Sequence, residues 1–141
     1  MPRIAIGNMF IGFVFIFLSA SAGFFLSTEH TRAHVEGGEM LNSWWLQLSS
    51  SAHGHTNLFG VLHVILGLTI PYSFRQKWIR ITQTVGLFLG GIAMSFLMFI
   101  RAQSAPTLEY DFIGILIGIC LSASLVAIGL QLAGLAIRSL K

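Results

Sequence analysis

The stretch IAIGNMFIGFVFIFLSASAGFFL, residues 4–26, decides the fold class of this 141-residue chain. It contains no charged side chain, and about 20 apolar residues in a helix suffice to cross the hydrocarbon core of a bilayer. Arg3 and the small residues 19–22 also resemble a secretory signal with its cleavage site. We interpret the segment as an uncleaved membrane span, which predicts a membrane protein.

The composition excludes the other broad classes of protein. Apolar residues make up 55% of the chain and charged residues 9%. A soluble domain carries about 25% charged residues, so the charges here are too few to cover a water-facing surface. The abundance of Phe, Ile and Leu excludes disorder, and the lone Cys120 excludes a disulfide scaffold.

Three further apolar segments meet the same length criterion, at residues 52–72, 78–100 and 111–138. Together with the first span they predict an all-α, integral membrane four-helix bundle that forms a single domain over residues 1–141. The polar residues 27–51 form the first connection. We expect this connection to be a long loop on the outer side of the membrane.

The distribution of basic residues predicts the orientation, because connections on the cytoplasmic side carry an excess of Lys and Arg. Six of the eight basic residues lie at the termini or in the second connection, and all five acids lie in the other two connections. Both termini are therefore expected in the cytoplasm, and the chain in the inner (plasma) membrane of a bacterium. The basic residues set orientation and do not form a nucleic-acid-binding surface. The six are Arg3, Arg75, Lys77, Arg80, Arg138 and Lys141, and the acids are Glu29, Glu36, Glu39, Glu109 and Asp111.

Small residues mark the faces on which membrane helices approach each other closely. The third span has Gly86 and Gly90 four residues apart, and the fourth has Gly114, Gly118 and Ser122 at the same spacing. These residues predict packing faces, within the chain, between copies in a homo-oligomer or against a larger membrane complex. Alternatively, the missing side chains make space for a flat cofactor such as a porphyrin.

Three histidines fall in the second span, where ionisable groups are rare because their burial is costly. His53 and His55 lie at its outer end, and His63 lies about 12 Å deeper at the helical rise per residue. The first two point about 200° apart if both are helical, so they cannot share one small ion. A large planar cofactor could be ligated by one of them, whereas His63 could also be a buried neutral side chain bonded to a neighbouring helix.

Methionines could supply a second axial ligand, because the other three spans contain no histidine. Met94 and Met98 lie one turn apart near the outer end of the third span, with Met98 at about the depth of His55. A His and Met pair suits haem and also Cu(I). The alternative is that both methionines fill gaps in the packing.

A different type of site, for copper or zinc on the outer face, would use histidines from the first connection. His30 and His34 lie four residues apart in an acidic stretch and could join His53 and His55 as metal ligands. If they do not, both are expected to be solvated.

The run His53-Gly54-His55-Thr56-Asn57-Leu58-Phe59-Gly60 resembles a stretch of the cytochrome c oxidase subunit I superfamily, which includes the haem–copper oxidases and nitric oxide reductases. The resemblance implies a short four-helix relative in which His55 ligates haem b, followed by Asn57, with His53 matching the preceding His of similar short proteins. Independently of the resemblance, Arg101 at the outer surface is a candidate partner for haem propionates.

Together these features predict a membrane protein that binds haem b or a metal ion, acting in respiratory electron transfer or in oxygen or nitric oxide chemistry. The chain lacks the later helices that hold the second haem ligand and the binuclear-centre histidines of that superfamily. Oxygen reduction by this chain alone is therefore not expected. Two alternatives stay open: a non-catalytic accessory or assembly subunit of a larger complex, and a protein that handles copper or zinc on the outer face.

Overall fold

The computed structural model describes residues 1–38, 43–107, 109 and 111–140, and this part of the chain is helical throughout its regular structure. Four helices follow one another: α1 (Arg3–Val35), α2 (Trp44–Thr69), α3 (Lys77–Ala102) and α4 (Phe112–Ser139). A short 3₁₀ turn (Ile70–Tyr72) ends α2. The prediction of an all-α four-helix protein is confirmed.

Three of the helices, α1, α3 and α4, are long and apolar enough to span a membrane, so the chain is an integral membrane protein. The helix α2 has 26 residues, but it is less apolar because it carries His53, His55 and Asn57. It packs closely along α1, and its other side faces α3. The polar helix α2 is thus packed against both α1 and α3.

The helices alternate in direction along the bundle. Near the middle of α1 and α2 the backbones touch, since a Cβ on Gly12 would lie 2.6 Å from the carbonyl oxygen of Gly60. Further along the same pair, a Cβ on Gly67 would lie 2.7 Å from the carbonyl oxygen of Ala5. Because the C-terminal part of α4 similarly meets the turn after α2, at Gly134, both chain termini lie at the end of the bundle that holds this turn.

The predicted outer loop at residues 27–51 is wrong in its length. The helix α1 continues to Val35 and α2 begins already at Trp44, while residues 39–42 lie outside the described residues. The side-chain oxygen of Ser43 caps α2 by accepting from the backbone N–H of Leu46, and Arg32 pairs with Glu36 one turn later at 3.0 Å. Polar side chains end an apolar segment without ending a helix, so hydropathy alone placed the end of α1 too early and the start of α2 too late.

Small residues pack as predicted on α3 but not on the predicted stripe of α4. A Cβ on Gly86 or Gly90 would meet Ala123 or Ser124 of α4 at 2.6 Å or less. By contrast, a Cβ on Gly118 of the predicted stripe, or on Gly129 about three turns further along the same face, would meet nothing within 4 Å. The face of α4 that packs on α3 lies on the other side of the helix from this glycine stripe, so the stripe is not a packing face within the described chain.

Candidate functional site

His53 is the histidine with the most distinctive surroundings. Its Nδ1 lies 3.1 Å from the Oγ of Ser19 on α1, and the same hydroxyl donates to the backbone oxygen of His53 at 3.1 Å. Since Ser19 has only one hydroxyl proton, this assignment makes Nδ1–H the donor in the first contact and leaves Nε2 with a lone pair. Gly23 provides the space for the ring, because a Cβ there would lie 2.7 Å from the imidazole Cε1.

An apolar groove of about 530 Å³ adjoins His53, between α1, α2 and α3. Of the described residues that line it, His53 alone is titratable. Four aromatic side chains line the same groove: Phe15, Phe25, Phe96 and Phe99. Sites for small molecules and cofactors are concave and apolar, with a few polar groups that fix orientation. The groove has this character.

Two further features of the groove were missed from the sequence. Ser49, one turn before His53, lines the groove with 1% of its surface exposed, and its Oγ has no hydrogen-bond partner among the described residues. In addition, α3 contains a π turn (Ala93–Leu97), from which Ser95 and Phe96 line the groove. Single π turns inside α-helices are frequent at functional sites, but no residue pattern in the third span predicts this π turn.

His55 points to a different part of the molecule. Its Nδ1 lies 2.8 Å from the backbone oxygen of Ser51 and donates to it, which leaves Nε2 as the lone-pair nitrogen. His55 lies seven residues before Leu62 and therefore on the same face of α2. Leu62 packs against the hydrophobic core between α2, α3 and α4. The expectation that His53 and His55 do not share an ion agrees with these opposite placements.

Met94 and Met98 belong to that core and not to the groove. Met94 is buried in a cluster with Phe59 and Ala127, and Met98 packs against the same cluster. The part of α3 that lines the groove consists of other residues, Ile92, Ser95, Phe96 and Phe99. The structure therefore does not bring either methionine together with His53, whereas Met98 and His55 both lie toward the core side.

Arg101 lies at the end of the bundle opposite the chain termini, whereas Asn57 lies near the middle of α2. Arg101 pairs with Asp111 at 3.0 Å, and its guanidinium carbon lies 5.8 Å from the centre of the Trp44 ring. Asp111 also caps α4 by accepting from the backbone N–H of Gly114 at 2.7 Å. Arg101 thus ties α2, α3 and α4 together, which is a structural role, while Asn57 is exposed.

His63 is buried in a polar network and does not itself line the groove, although it contacts Phe15, which does. It is fully buried, and its Nδ1 lies 3.0 Å from the Oδ1 of Asn8 on α1. The Nδ2 of Asn8 donates to the Oγ1 of Thr84 on α3 at 2.8 Å. Phe15 and Phe88 flank the ring, and Nε2 has no partner among the described residues. The single Asn in the first apolar span was the signal for this network.

The predicted copper or zinc ligands are not assembled in the described residues. His30 lies within α1 and donates through Nδ1 to the backbone oxygen of Leu26 at 2.8 Å, while His34 is exposed. In the ranges that the structure describes, no three His, Cys, Asp or Glu side chains are grouped so that they could hold a metal ion. Axial ligation of haem by one imidazole does not require a cluster of three such side chains.

Comparison with protein-family models, with curated proteins and with solved structures finds no match to this chain. The resemblance of residues 53–60 to the oxidase superfamily therefore stays a prediction, and the contacts described above carry the functional argument.

Proposed function

We propose that the protein binds haem b in the groove beside His53, in the N-terminal half of α2, and carries electrons in the membrane. One observation carries the proposal: an apolar, aromatic-lined groove of about 530 Å³ whose titratable lining residue, His53, keeps a lone pair on Nε2. Histidines that ligate metals almost always donate their other ring N–H to a neighbouring oxygen. The Nδ1 contact of His53 with Ser19 fits that requirement.

The residues of the groove fit a flat, largely apolar group. Phe15, Phe25, Phe96 and Phe99 offer apolar surface and exclude water, and Ser49 offers an unpartnered hydroxyl. A bound haem would supply one-electron redox chemistry. The chain would hold the haem iron through His53 and orient that imidazole through Ser19. Burial and hydrogen bonding would tune the reduction potential of the haem.

His55 is the competing axial ligand. The superfamily resemblance implies it, and the donation of Nδ1 to Ser51 at 2.8 Å gives its Nε2 the same lone pair. We favour His53 over His55 as the axial ligand because His53 lines the groove. By the distribution of basic residues, both rings are toward the outer, periplasmic side of a bacterial inner membrane.

An absorption spectrum of the detergent-purified protein, with and without dithionite, tests the proposal. We expect a Soret band that shifts on reduction, that is lost in His53→Ala and that is retained in His55→Ala. Ser19→Ala should keep the band but weaken haem binding by about 10- to 100-fold, as loss of an outer-shell hydrogen bond does. His30→Ala is the matched control, because His30, like His53, donates a hydrogen bond from Nδ1, here to the backbone oxygen of Leu26, but does not line the groove.

Two results would contradict the proposal in different ways. Loss of the Soret band in His55→Ala, with retention in His53→Ala, would indicate that His55 is the haem ligand and that haem binds on the core side of α2. If the purified protein has no Soret band even after haem is added, the protein does not bind haem. Retention of such a protein in a larger membrane complex would then favour the accessory-subunit alternative.

A further inference from the structure

A second cavity, of about 680 Å³, lies at the end of the bundle that holds both chain termini. It is formed by the turn at residues 73–76 and the last turns of α4. Arg75 and Arg138 line it from the two sides, and Phe74 and Ile137 supply apolar surface beside them. The cavity is remote from His53, which lies toward the opposite end of the bundle.

Among the described residues, no Asp or Glu side chain pairs with the positive charge at this cavity. By sequence, the five acids lie between residues 29 and 39 or at positions 109 and 111, in the connections at the opposite end. In the described part of the chain, the ion pairs are Arg32 with Glu36 and Arg101 with Asp111. Arg75 and Arg138 are therefore available to an external anion.

A buried hydroxyl also lines the cavity. Ser73 is 5% exposed, and its Oγ accepts from the Nε2 of Gln83 at 3.3 Å. No acceptor for its own proton lies within hydrogen-bond distance among the described residues, so the O–H can donate to an oxygen in the cavity. Gly134 faces Ser73 so closely that a Cβ at this position would collide with the hydroxyl.

The turn that carries Ser73 and Arg75 is held in place. The Nε of Arg80 donates to the backbone oxygen of Phe74 at 2.7 Å. The residue that precedes α3, Gln76, makes no side-chain capping bond, so the first backbone N–H groups of this helix stay available beside the cavity. The positive end of the helix dipole adds to the charge of the two arginines.

We propose that this cavity binds the phosphate group of an anionic phospholipid, with Arg75 and Arg138 on the phosphate oxygens and Ser73 as an additional donor. The apolar side chains Phe74 and Ile137 favour a lipid over free phosphate, because they would contact the first acyl carbons. Basic pockets between membrane helices on the cytoplasmic side bind lipid headgroups of this type. The proposal is independent of haem binding.

Lipid titration of the detergent-purified protein, followed by native mass spectrometry, tests the site. Phosphatidylglycerol and cardiolipin are compared with phosphatidylcholine and with inorganic phosphate alone. We expect the wild type to prefer the anionic lipids, and Arg75→Gln and Arg138→Gln each to weaken their binding about fivefold, as one charge near a membrane surface does. Ser73→Ala should weaken it less. Lys77→Gln is the matched control, since it removes one charge at the same end but does not line the cavity.

Three results would overturn the proposal. Equal binding of phosphatidylcholine would exclude recognition of anionic charge. Equal occupancy by inorganic phosphate would replace the lipid by the free ion. A loss in Lys77→Gln as large as in the two arginine variants would show that diffuse charge, and not the cavity, attracts the lipid. Circular dichroism of each variant confirms that it remains helical, so that a loss of binding reports on the site.

Discussion

At the scale of single residues, Asn8 and His63 form the contact that most constrains the bundle interior. Asn8 is fully buried in α1, accepts from His63 of α2 and donates to Thr84 of α3. One amide therefore satisfies partners on two other helices. The low dielectric of the surroundings strengthens these bonds and makes an unpaired group costly.

Substitution of Asn8 should expose that cost. Asn8→Ala leaves the Nδ1–H of His63 without an acceptor, and we expect the free energy of unfolding to fall by about 1–3 kcal/mol. The double variant Asn8→Leu/His63→Leu should recover part of this loss, because neither polar group then remains buried. Unfolding in sodium dodecyl sulfate, followed by circular dichroism, measures both. Ser21→Ala, which removes an exposed hydroxyl on the same helix, should change little. If Asn8→Ala were as stable as the wild type, the hydrogen bonds of Asn8 would not contribute to the stability of the bundle.

At the scale of elements, glycines determine how closely the helices approach. The contact of Gly12 with Gly60 brings the backbones of α1 and α2 together, and Gly86 and Gly90 do the same for α3 and α4. The bundle is thus built from two closely packed hairpins. The side of α4 that carries Gly118 and Gly129 contributes to neither.

A pair of glycine substitutions separates these two environments. Gly12→Ala places a Cβ 2.6 Å from a backbone oxygen, so the hairpin must open, and we expect a loss of about 1–3 kcal/mol, as for other overpacked interiors. Gly129→Ala meets nothing within 4 Å and should be neutral or slightly stabilising, because Ala is the better helix former. Thermal unfolding in detergent compares the two. Similar melting temperatures for both variants would contradict the close approach of α1 and α2.

Sequence reasoning predicted the helices well because apolar segments of this length have few other structures available in a membrane. It placed the boundaries of the first connection wrongly, since the residues from Ser27 to Val35 are polar yet helical. It identified His53 and His55 as informative, but it could not foresee the groove, which depends on how α1 and α3 meet over α2. The roles of Ser19 and Ser49 depend on how α1 and α3 pack against α2, and no local sequence pattern predicts them.

At the scale of the whole molecule, the bundle is electrically asymmetric. Among the described residues, the end that holds the termini carries five basic residues and no acid, whereas the opposite end carries four acids and two arginines. The helices alternate in direction, so a single orientation in the membrane fixes the side of every connection. Basic ends are retained in the cytoplasm.

Labelling of introduced cysteines tests this orientation. In a Cys120→Ala background, Ala105→Cys and Ser139→Cys place thiols at exposed positions on opposite ends of the bundle. A membrane-impermeant maleimide added to intact cells, made permeable only at the outer membrane if one is present, should label the first thiol and not the second. After the cells are broken, both should react. The reverse pattern would invert the orientation and place His53 toward the cytoplasm.

The limited hydropathy of α2 has a consequence for biosynthesis. A helix whose first half carries two imidazoles and an amide partitions poorly from the translocon into lipid by itself. The neighbouring α1 is strongly apolar, and the hydroxyl of its Ser19 accepts a hydrogen bond from the Nδ1–H of His53. Because α2 packs closely along α1, we expect the two helices to enter the bilayer together as one hairpin.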